Sequence, residues 1–413
     1  MKQFKDILKT KIFSIALILF CTLPLSAGWE IKVMPHIMAN LGDQLRYVLP
    51  HRGLQITSVS KVEPDQPFYV NAALILKTPL KKPVKFSGSI TMTDPDGKAA
   101  FPKPANISFT MPAGARGIHI FPNGIIVKAD KQDKRGKQRF SLTVSDDCGN
   151  AQTASAEIEL VDSITDFRMM DFKEFNKFIQ SYYMAPKPER LLAALNYYLT
   201  EGITELRHKS RRFNPLPGLL FFADAFRYNP QFFDELIKMG NSAKPKDQYF
   251  ATIYYHIGQK FIDLHKDKIN PVILKQISKY KKPLITANDE IKFPQQLDLL
   301  WMKFYANGKF EFVHKIAGTL KKQPELSAKE AQQIMASGKK LSPEQRQHLL
   351  NSVIRVGSAG SLIANSVRHR VVRFYLETIL TKKLYPDKQA GDTISWILSR
   401  AKEKAKSTQG NKK

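Results

Sequence analysis

The sequence predicts two domains: an N-terminal all-β, immunoglobulin-like sandwich followed by an all-α helical domain. Three observations carry this. The chain has 413 residues, long for one hydrophobic core and comfortable for two. Between Leu54 and Asp162, short β-prone runs alternate with turn residues. Beyond Asp166, apolar residues recur at helical spacing instead.

Residues 1–27 read as a signal peptide. Lys2, Lys5, Lys9 and Lys11 form a basic region, Ile12 to Cys21 an apolar one, and Pro24-Leu25-Ser26-Ala27 ends in a small residue. Cleavage is expected after Ala27, which leaves a chain exported to the periplasm or cell envelope, with secretion as the other destination. A lipoprotein would use Cys21, but bulky Phe20 precedes it where a small residue is needed. No later run reaches the roughly 18 apolar residues of a membrane span. Only Cys148 remains after cleavage, so no intrachain disulfide forms. It sits beside Asp146 and Asp147, whose charge opposes thiolate formation, and it reads as an incidental thiol.

Residues 28–53 are a lead-in in which Met34, Ile37, Met38, Leu41, Leu45 and Val48 are loosely helical in spacing. The sandwich is assigned to residues 54–162, with strands expected at Gln55–Val62, Phe68–Lys77, Val84–Thr93, Ala105–Thr110, Gly117–Phe121, Ile125–Ala129, Arg139–Val144 and Ala154–Val161. Phe140, Leu142 and Val144 alternate toward one face. Asp94-Pro95-Asp96-Gly97-Lys98 starts like a calcium loop but lacks the later ligands and closing Glu, so it reads as a hairpin turn. Lys128 to Lys137 mixes both signs of charge, as solvated loops do.

Residues 163–404 form the helical domain. Helices are expected at Asp171–Tyr183, Pro188–Leu199, Pro217–Arg227, Pro230–Met239, Asp247–His265, Pro271–Tyr280, Ser327–Ser337, Ser342–Arg355, Leu362–Leu380 and Asp392–Lys402. The densest apolar block, Asn288–Leu320, reads as two short helices joined at Asn307-Gly308, with Trp301 and Phe304 buried. Phe226…Asn229-Pro230-Gln231-Phe232 repeats the spacing of Phe304…Asn307-Gly308-Lys309-Phe310. Asn followed by a breaker suits the end of one helix and the start of its antiparallel partner. Two copies do not fix a period, so a repeat-like array and an irregular bundle both stay open. Residues 405–413 read as a basic disordered tail.

The formal net charge is +27, and it is unevenly placed. Residues 164–413 hold 43 basic and 23 acidic residues, a net +20. Such a surface attracts an envelope protein or an acidic polymer, although solvated helix faces explain it too. Arg211, Arg212, Arg368 and Arg370 lie in the densest basic stretches and are the expected polyanion contacts. Nucleic acid is not expected as a partner, because export separates the chain from it.

No linear motif carries catalytic chemistry. None of the nine His falls in HExxH or pairs with another at helical metal-ligand spacing, so no metal site is assigned. Gly357-Ser358-Ala359-Gly360-Ser361 matches neither a nucleophile elbow nor a phosphate loop, and reads as a flexible loop or a close helix contact. No cofactor is expected. Asp224, Asp234, Glu235, Asp263, Asp289, Glu290 and Glu311 are ordinary helix-face carboxylates unless the fold gathers them. The aromatics Phe221, Phe222, Tyr254, Tyr255, Trp301, Phe304 and Tyr305 read as core, with a ligand platform as the other reading.

Several short features occur in a familiar order. After the signal segment come Gln66-Pro67-Phe68-Tyr69-Val70, Asp94-Pro95-Asp96-Gly97-Lys98, Tyr182-Tyr183…Pro188-Glu189-Arg190, Phe221-Phe222-Ala223…Phe226…Asn229-Pro230 and the Trp301 hairpin. In this the chain resembles exported bacterial proteins of unknown function, over nearly its whole mature length. The resemblance implies the two-domain layout and an envelope location, and brings no catalytic residues. The expected function is therefore non-catalytic: binding or scaffolding a protein or polyanionic partner. The alternative is a periplasmic hydrolase whose carboxylate site forms only in three dimensions.

Overall fold

The computed structural model describes residues 28–48, 56–100, 103–121, 124–209, 213–242, 246–282, 285–321, 330, 333 and 341–410. The proposed signal peptide (1–27), Arg211, Arg212 and the expected helix Ser327–Ser337 with its cap fall outside these, save Glu330 and Gln333. Within them the N-terminal part is β-rich and the C-terminal part helical. By compactness the chain divides into two units. One takes the described residues up to Pro35, Val70–Ile125 and Lys134–Glu159; the other takes His36–Tyr69, Ile126–Asp133 and everything from Leu160.

Nine strands are described: β1 (Trp29–His36), β2 (Lys61–Val62), β3 (Pro67–Leu76), β4 (Val84–Thr93), β5 (Ala105–Met111), β6 (Gly117–Ile120), β7 (Ile125–Lys128), β8 (Gly136–Asp146) and β9 (Ala151–Leu160). One sheet runs β1–β3–β6, with β7 also on β3, and the other runs β2–β9–β8–β4–β5. Strand β4 pairs antiparallel with β5 (Phe86 opposite Phe109) and with β8 (Ile90 opposite Leu142). Both sheets feed one hydrophobic cluster: Trp29, Ile31, Leu74 and Leu76 meet Phe86, Ile90, Leu142 and Val144.

The turns are made by Asp. Asp94 Oδ1 accepts from the amides of Asp96 (2.9 Å) and Lys98 (2.8 Å), closing a hairpin with Gly97 at φ 79°. Asp146 Oδ1 does the same for Cys148 (2.9 Å) and Asn150 (2.8 Å). Cys148 is exposed, and its thiol pKa is raised chiefly by its hydrogen bond to Asp147.

Fourteen α-helices are described: α1 (Leu41–Tyr47), α2 (Phe172–Ser181), α3 (Leu191–Tyr197), α4 (Ile203–Lys209), α5 (Leu216–Arg227), α6 (Phe233–Ser242), α7 (Asp247–Ile257), α8 (Gln259–His265), α9 (Pro271–Ile277), α10 (Gln295–Asn307), α11 (Phe310–Gly318), α12 (Pro343–Arg368), α13 (Arg370–Thr381) and α14 (Lys388–Gly410). They pack in succession, α9 on α7, α7 on α5, α5 on α10, α10 on α11 and α11 on α13, around one continuous core. Asp171 caps α2 through the Glu174 amide (2.7 Å). Ser342 and Gln345 form a reciprocal capping box on α12.

Several elements differ from expectation for physical reasons. The lead-in holds β1 and α1, because the period-two burial of Trp29 and Ile31 is satisfied only against a neighbouring strand. The single helix expected over Asp247–His265 breaks at Gly258, which sits at φ 129° and ψ 164°, a region open to glycine. Gly357 to Ser361 is not a loop but lies inside α12. There Ser358, fully buried, accepts a hydrogen bond from Thr319 (2.7 Å), so the small residues serve close helix contact. The expected helix Leu362–Leu380 breaks at His369, whose backbone is extended. Helix α14 continues to Gly410, into the stretch read as a disordered tail.

Trp301 and Phe304 are buried, as the apolar spacing predicts. The turn that follows them, Asn307-Gly308, ties distant parts of the helical unit together. Gly308 is left-handed (φ 67°), and its carbonyl accepts from Tyr375 Oη (3.1 Å) and Asn40 Nδ2 (3.4 Å). Asp43 caps the next helix through the Phe310 amide (2.7 Å), and Phe310 stacks on Tyr47 with centroids 3.8 Å apart. A Cβ at Gly308 would lie 2.6 Å from the Tyr183 ring and closer still to Asn40. Gly308→Ala therefore combines left-handed strain with overpacking, and should destabilise the helical unit by about 2–4 kcal/mol in denaturant unfolding. A loss below about 1 kcal/mol would show that the turn relaxes freely.

Candidate functional site

Helix α5, LPGLLFFADAFR, is apolar almost throughout, and Asp224 is its one acid. Helix α10 has a single Lys, Lys303, within the run Leu299 to Ala306. The two helices pack together, and these charges meet. Lys303 Nζ lies 3.2 Å from Asp224 Oδ2, with side chains 9% and 2% exposed. Arg227, one turn along α5, adds a second contact to Asp224 at 3.3 Å. Its guanidinium also donates to the carbonyls of Ile257 (3.0 Å) and His256, holding the end of α7. Such a pair is fixed rather than strongly stabilising, because desolvation offsets most of the attraction.

This network forms the wall of a polar cleft of about 490 Å³. Both Asn-breaker turns contribute to it: Tyr228 from the first, Asn307 and Lys309 from the second. Lys309 is half-buried beside Tyr228, its Nζ 5.6 Å from the ring centre. Burial alone would lower the Lys309 pKa, but a hydrogen bond with Tyr228 and the charges of Glu311 and Asp43 raise it above the ordinary value. Lys309 therefore stays a cation. His256 also lines the cleft at 4% exposure, and its Nε2 has no hydrogen-bond partner. Burial, reinforced by Lys303 and Arg227, lowers its pKa to about 4, so it is neutral near pH 7.

The cleft thus offers Arg227, Lys303 and Lys309 against Asp224 and exposed Glu311, with Asp224 already held by two of the cations. The arrangement suits an anionic group placed against Lys309 and an unpaired imidazole nitrogen. Its imidazole, His256, is held neutral near pH 7, and Asp224 is committed to two cations. Among the described residues, no group of three or more His, Cys, Asp or Glu is placed to hold a metal ion.

A second cavity, about 480 Å³ and of mixed polar and apolar lining, includes Ser58, Ser60, Ser163, Gln66 and Glu189. Behind it Glu63 is 6% exposed, its Oε2 accepting from the Ile164 amide (3.1 Å) and its Oε1 unpaired. Burial raises the Glu63 pKa to about 7 against that amide's opposing effect, with Glu235 and Glu189 adding to the rise. Glu189 is also raised, mainly by burial.

Of the residues singled out in the sequence, Arg368 and Arg370 are exposed and flank buried His369 where α12 meets α13. Arg370 lies over the Phe374 ring at 5.4 Å, and neither Arg lines the cleft. Among the candidate carboxylates, only Asp224 and Glu311 reach it. Asp234 pairs with Lys268 at the surface (2.7 Å), and Asp289 caps Thr286 (2.6 Å). Lys303, Lys309 and His256 were not foreseen as site residues. The legible signal was a charge or His inside an otherwise apolar helix, LLWMKFYA and ATIYYHI.

No protein-family model matches the chain, and no curated protein matches it. Among solved structures it is similar to the native conformation of E. coli alpha-2-macroglobulin, at 12% identity and TM-score 0.19, over 83% of this chain and 24% of that one. It is also similar to a structure named pT26-6p, at 11% identity and TM-score 0.16, over 84% of this chain and 48% of that one. The chain spans less than two thirds of either, and at such TM-scores the likeness carries no argument about fold or function.

The Glu63 geometry has a pH signature. Its folded pKa, about 7, lies above the unfolded value of 4.5, so the stability it confers is complete below 4.5 and lost as pH rises through 7. Wild type should lose roughly 3 kcal/mol relative to Glu63→Gln across that window, measured by denaturant unfolding at several pH values. Parallel wild-type and variant curves would show that Glu63 ionises freely.

Proposed function

We propose that this chain is an exported, non-catalytic protein of the bacterial envelope, with an immunoglobulin-like sandwich as its β-rich module and a helical module that binds acidic groups of a partner. The signal-like pattern of residues 1–27 supports export to the periplasm or envelope. Two sheets sharing one core support the immunoglobulin-like reading. One observation carries the binding reading. In a helical part with net charge +20, the cationic side chains of Arg227, Lys303 and Lys309 gather in a polar cleft around a neutral His256 with an unpaired nitrogen. The exposed pair Arg368 and Arg370 extends the basic surface outside that cleft.

A second reading, a hydrolase with a carboxylate site, is favoured by the raised Glu63 and Glu189 beside a Ser-lined cavity. Turnover of an envelope glycan or peptide, lost in both Glu63→Gln and Glu189→Gln, would carry it. Without turnover it has no support.

The binding reading is tested with polyglutamate and polyphosphate as probes of carboxylate and phosphate polymers. Binding should weaken as salt rises from about 0.02 to 0.15 M. Lys309→Ala should weaken it further by about fivefold, roughly 1 kcal/mol, with folding unchanged by circular dichroism. If neither polymer binds at the lower salt, the binding reading fails. An equal loss in Arg368→Ala/Arg370→Ala but none in Lys309→Ala would move the site to the corner between α12 and α13.

A further inference from the structure

A third cavity of about 530 Å³ differs in character from the cationic cleft. Its walls are mainly aromatic and aliphatic, with Phe175, Tyr198, Phe213, Trp301 and Tyr305 among them. In a chain of net charge +27, no Lys or Arg among the described residues lines it, and Asp298 is the one charged residue of that lining. Asp298 is exposed on α10, one turn before Trp301, and makes no ion pair among the described residues. Trp301 is 5% exposed, yet its buried Nε1–H has no hydrogen-bond partner. Leaving such a donor unsatisfied costs about 1–3 kcal/mol, so the indole would gain from an acceptor. The neighbouring hydroxyl is already committed, because Tyr305 Oη donates to Asn365 Oδ1 (2.6 Å).

From these features we infer that the cavity is a binding site for a small amphipathic amine: an apolar or aromatic body, an ammonium group for Asp298, and an oxygen acceptor for Trp301 Nε1. Each part has its own cause. The aromatic walls bury the body and attract a cation at their faces. The lone carboxylate selects positive charge and repels anions. The indole N–H reads the oxygen. The site is chemically opposite to the cationic cleft, and it does not depend on the binding reading above.

Three probes separate these contributions by calorimetry on the full chain. Tyramine carries the ring, the amine and a hydroxyl oxygen. Phenethylamine lacks the oxygen, and 3-(4-hydroxyphenyl)propanoate replaces the amine with a carboxylate. Tyramine should bind best, the carboxylate roughly tenfold more weakly or worse, and phenethylamine between them. Asp298→Asn should abolish the preference for amine over carboxylate. Trp301→Phe, which keeps the aromatic volume, should abolish the preference for tyramine over phenethylamine. The proposal is overturned if tyramine shows no binding at concentrations on the order of 1 mM. It is equally overturned if the carboxylate binds as well as tyramine, or if Asp298→Asn leaves the preference intact in a folded protein.

Discussion

The left-handed turn at Gly308 is the constraint on which the helical unit depends. A residue with a Cβ has no space there, because Asn40 and the Tyr183 ring occupy it. The single carbonyl of Gly308 collects Tyr375 from α13 and Asn40 from the segment before α1. Asp43 then supplies the cap that α11 lacks from its own N-cap residue, Lys309, and Tyr47 covers Phe310. Segments 268 residues apart in sequence are therefore joined at one peptide group. Such contacts are entropically costly to form, and the turn makes several of them at once.

The same turn shapes the site. Asn307 accepts from the Lys309 amide (3.0 Å), which sets where Lys309 leaves the backbone and brings it into the cleft. The first Asn-breaker turn works differently at the atomic level. Asn229 Nδ2 donates to the Ala225 carbonyl (2.8 Å) and to Tyr182 Oη (3.0 Å), and a turn of 3-10 helix follows from Pro230 to Phe232. Both solutions bury their Asn and both present a residue to the cleft. Between them the Asp224–Lys303 pair joins α5 to α10. Removing Asp224 would leave the buried Lys303 charge uncompensated, whereas removing Lys303 would leave Asp224 with Arg227.

How much of this was legible depended on range. Most strand positions in the β-rich part followed from local chemistry, with Asp-made turns at Asp94 and Asp146 between them and Phe140, Leu142 and Val144 buried together. Of the expected strand Gln55–Val62, only Lys61–Val62 pairs as one among the described residues. The capped start of the helix at Ser342 was equally local. Strand β1 was missed because its pairing partner, β3, is what distinguishes Trp29–His36 from a loose helical pattern. Gly357 to Ser361 left a loop and a close helix contact both open, and only the long-range bond from Thr319 to Ser358 decides for the helix contact. The cleft was hidden for the same reason. Asp224 and Lys303 are 79 residues apart, and although each is a lone charge in an apolar run, nothing local says that the two meet. His256 became unusual only when burial removed its water.

The central claim is that acidic groups are bound where the two Asn-breaker turns meet the Asp224–Lys303 network. Hydrogen exchange with and without saturating polyglutamate measures this directly. The account predicts slowed exchange in segments spanning residues 224–228, 255–259 and 303–311. Protection around Arg368 and Arg370, or in the β-rich unit, with none near Lys309, would contradict it.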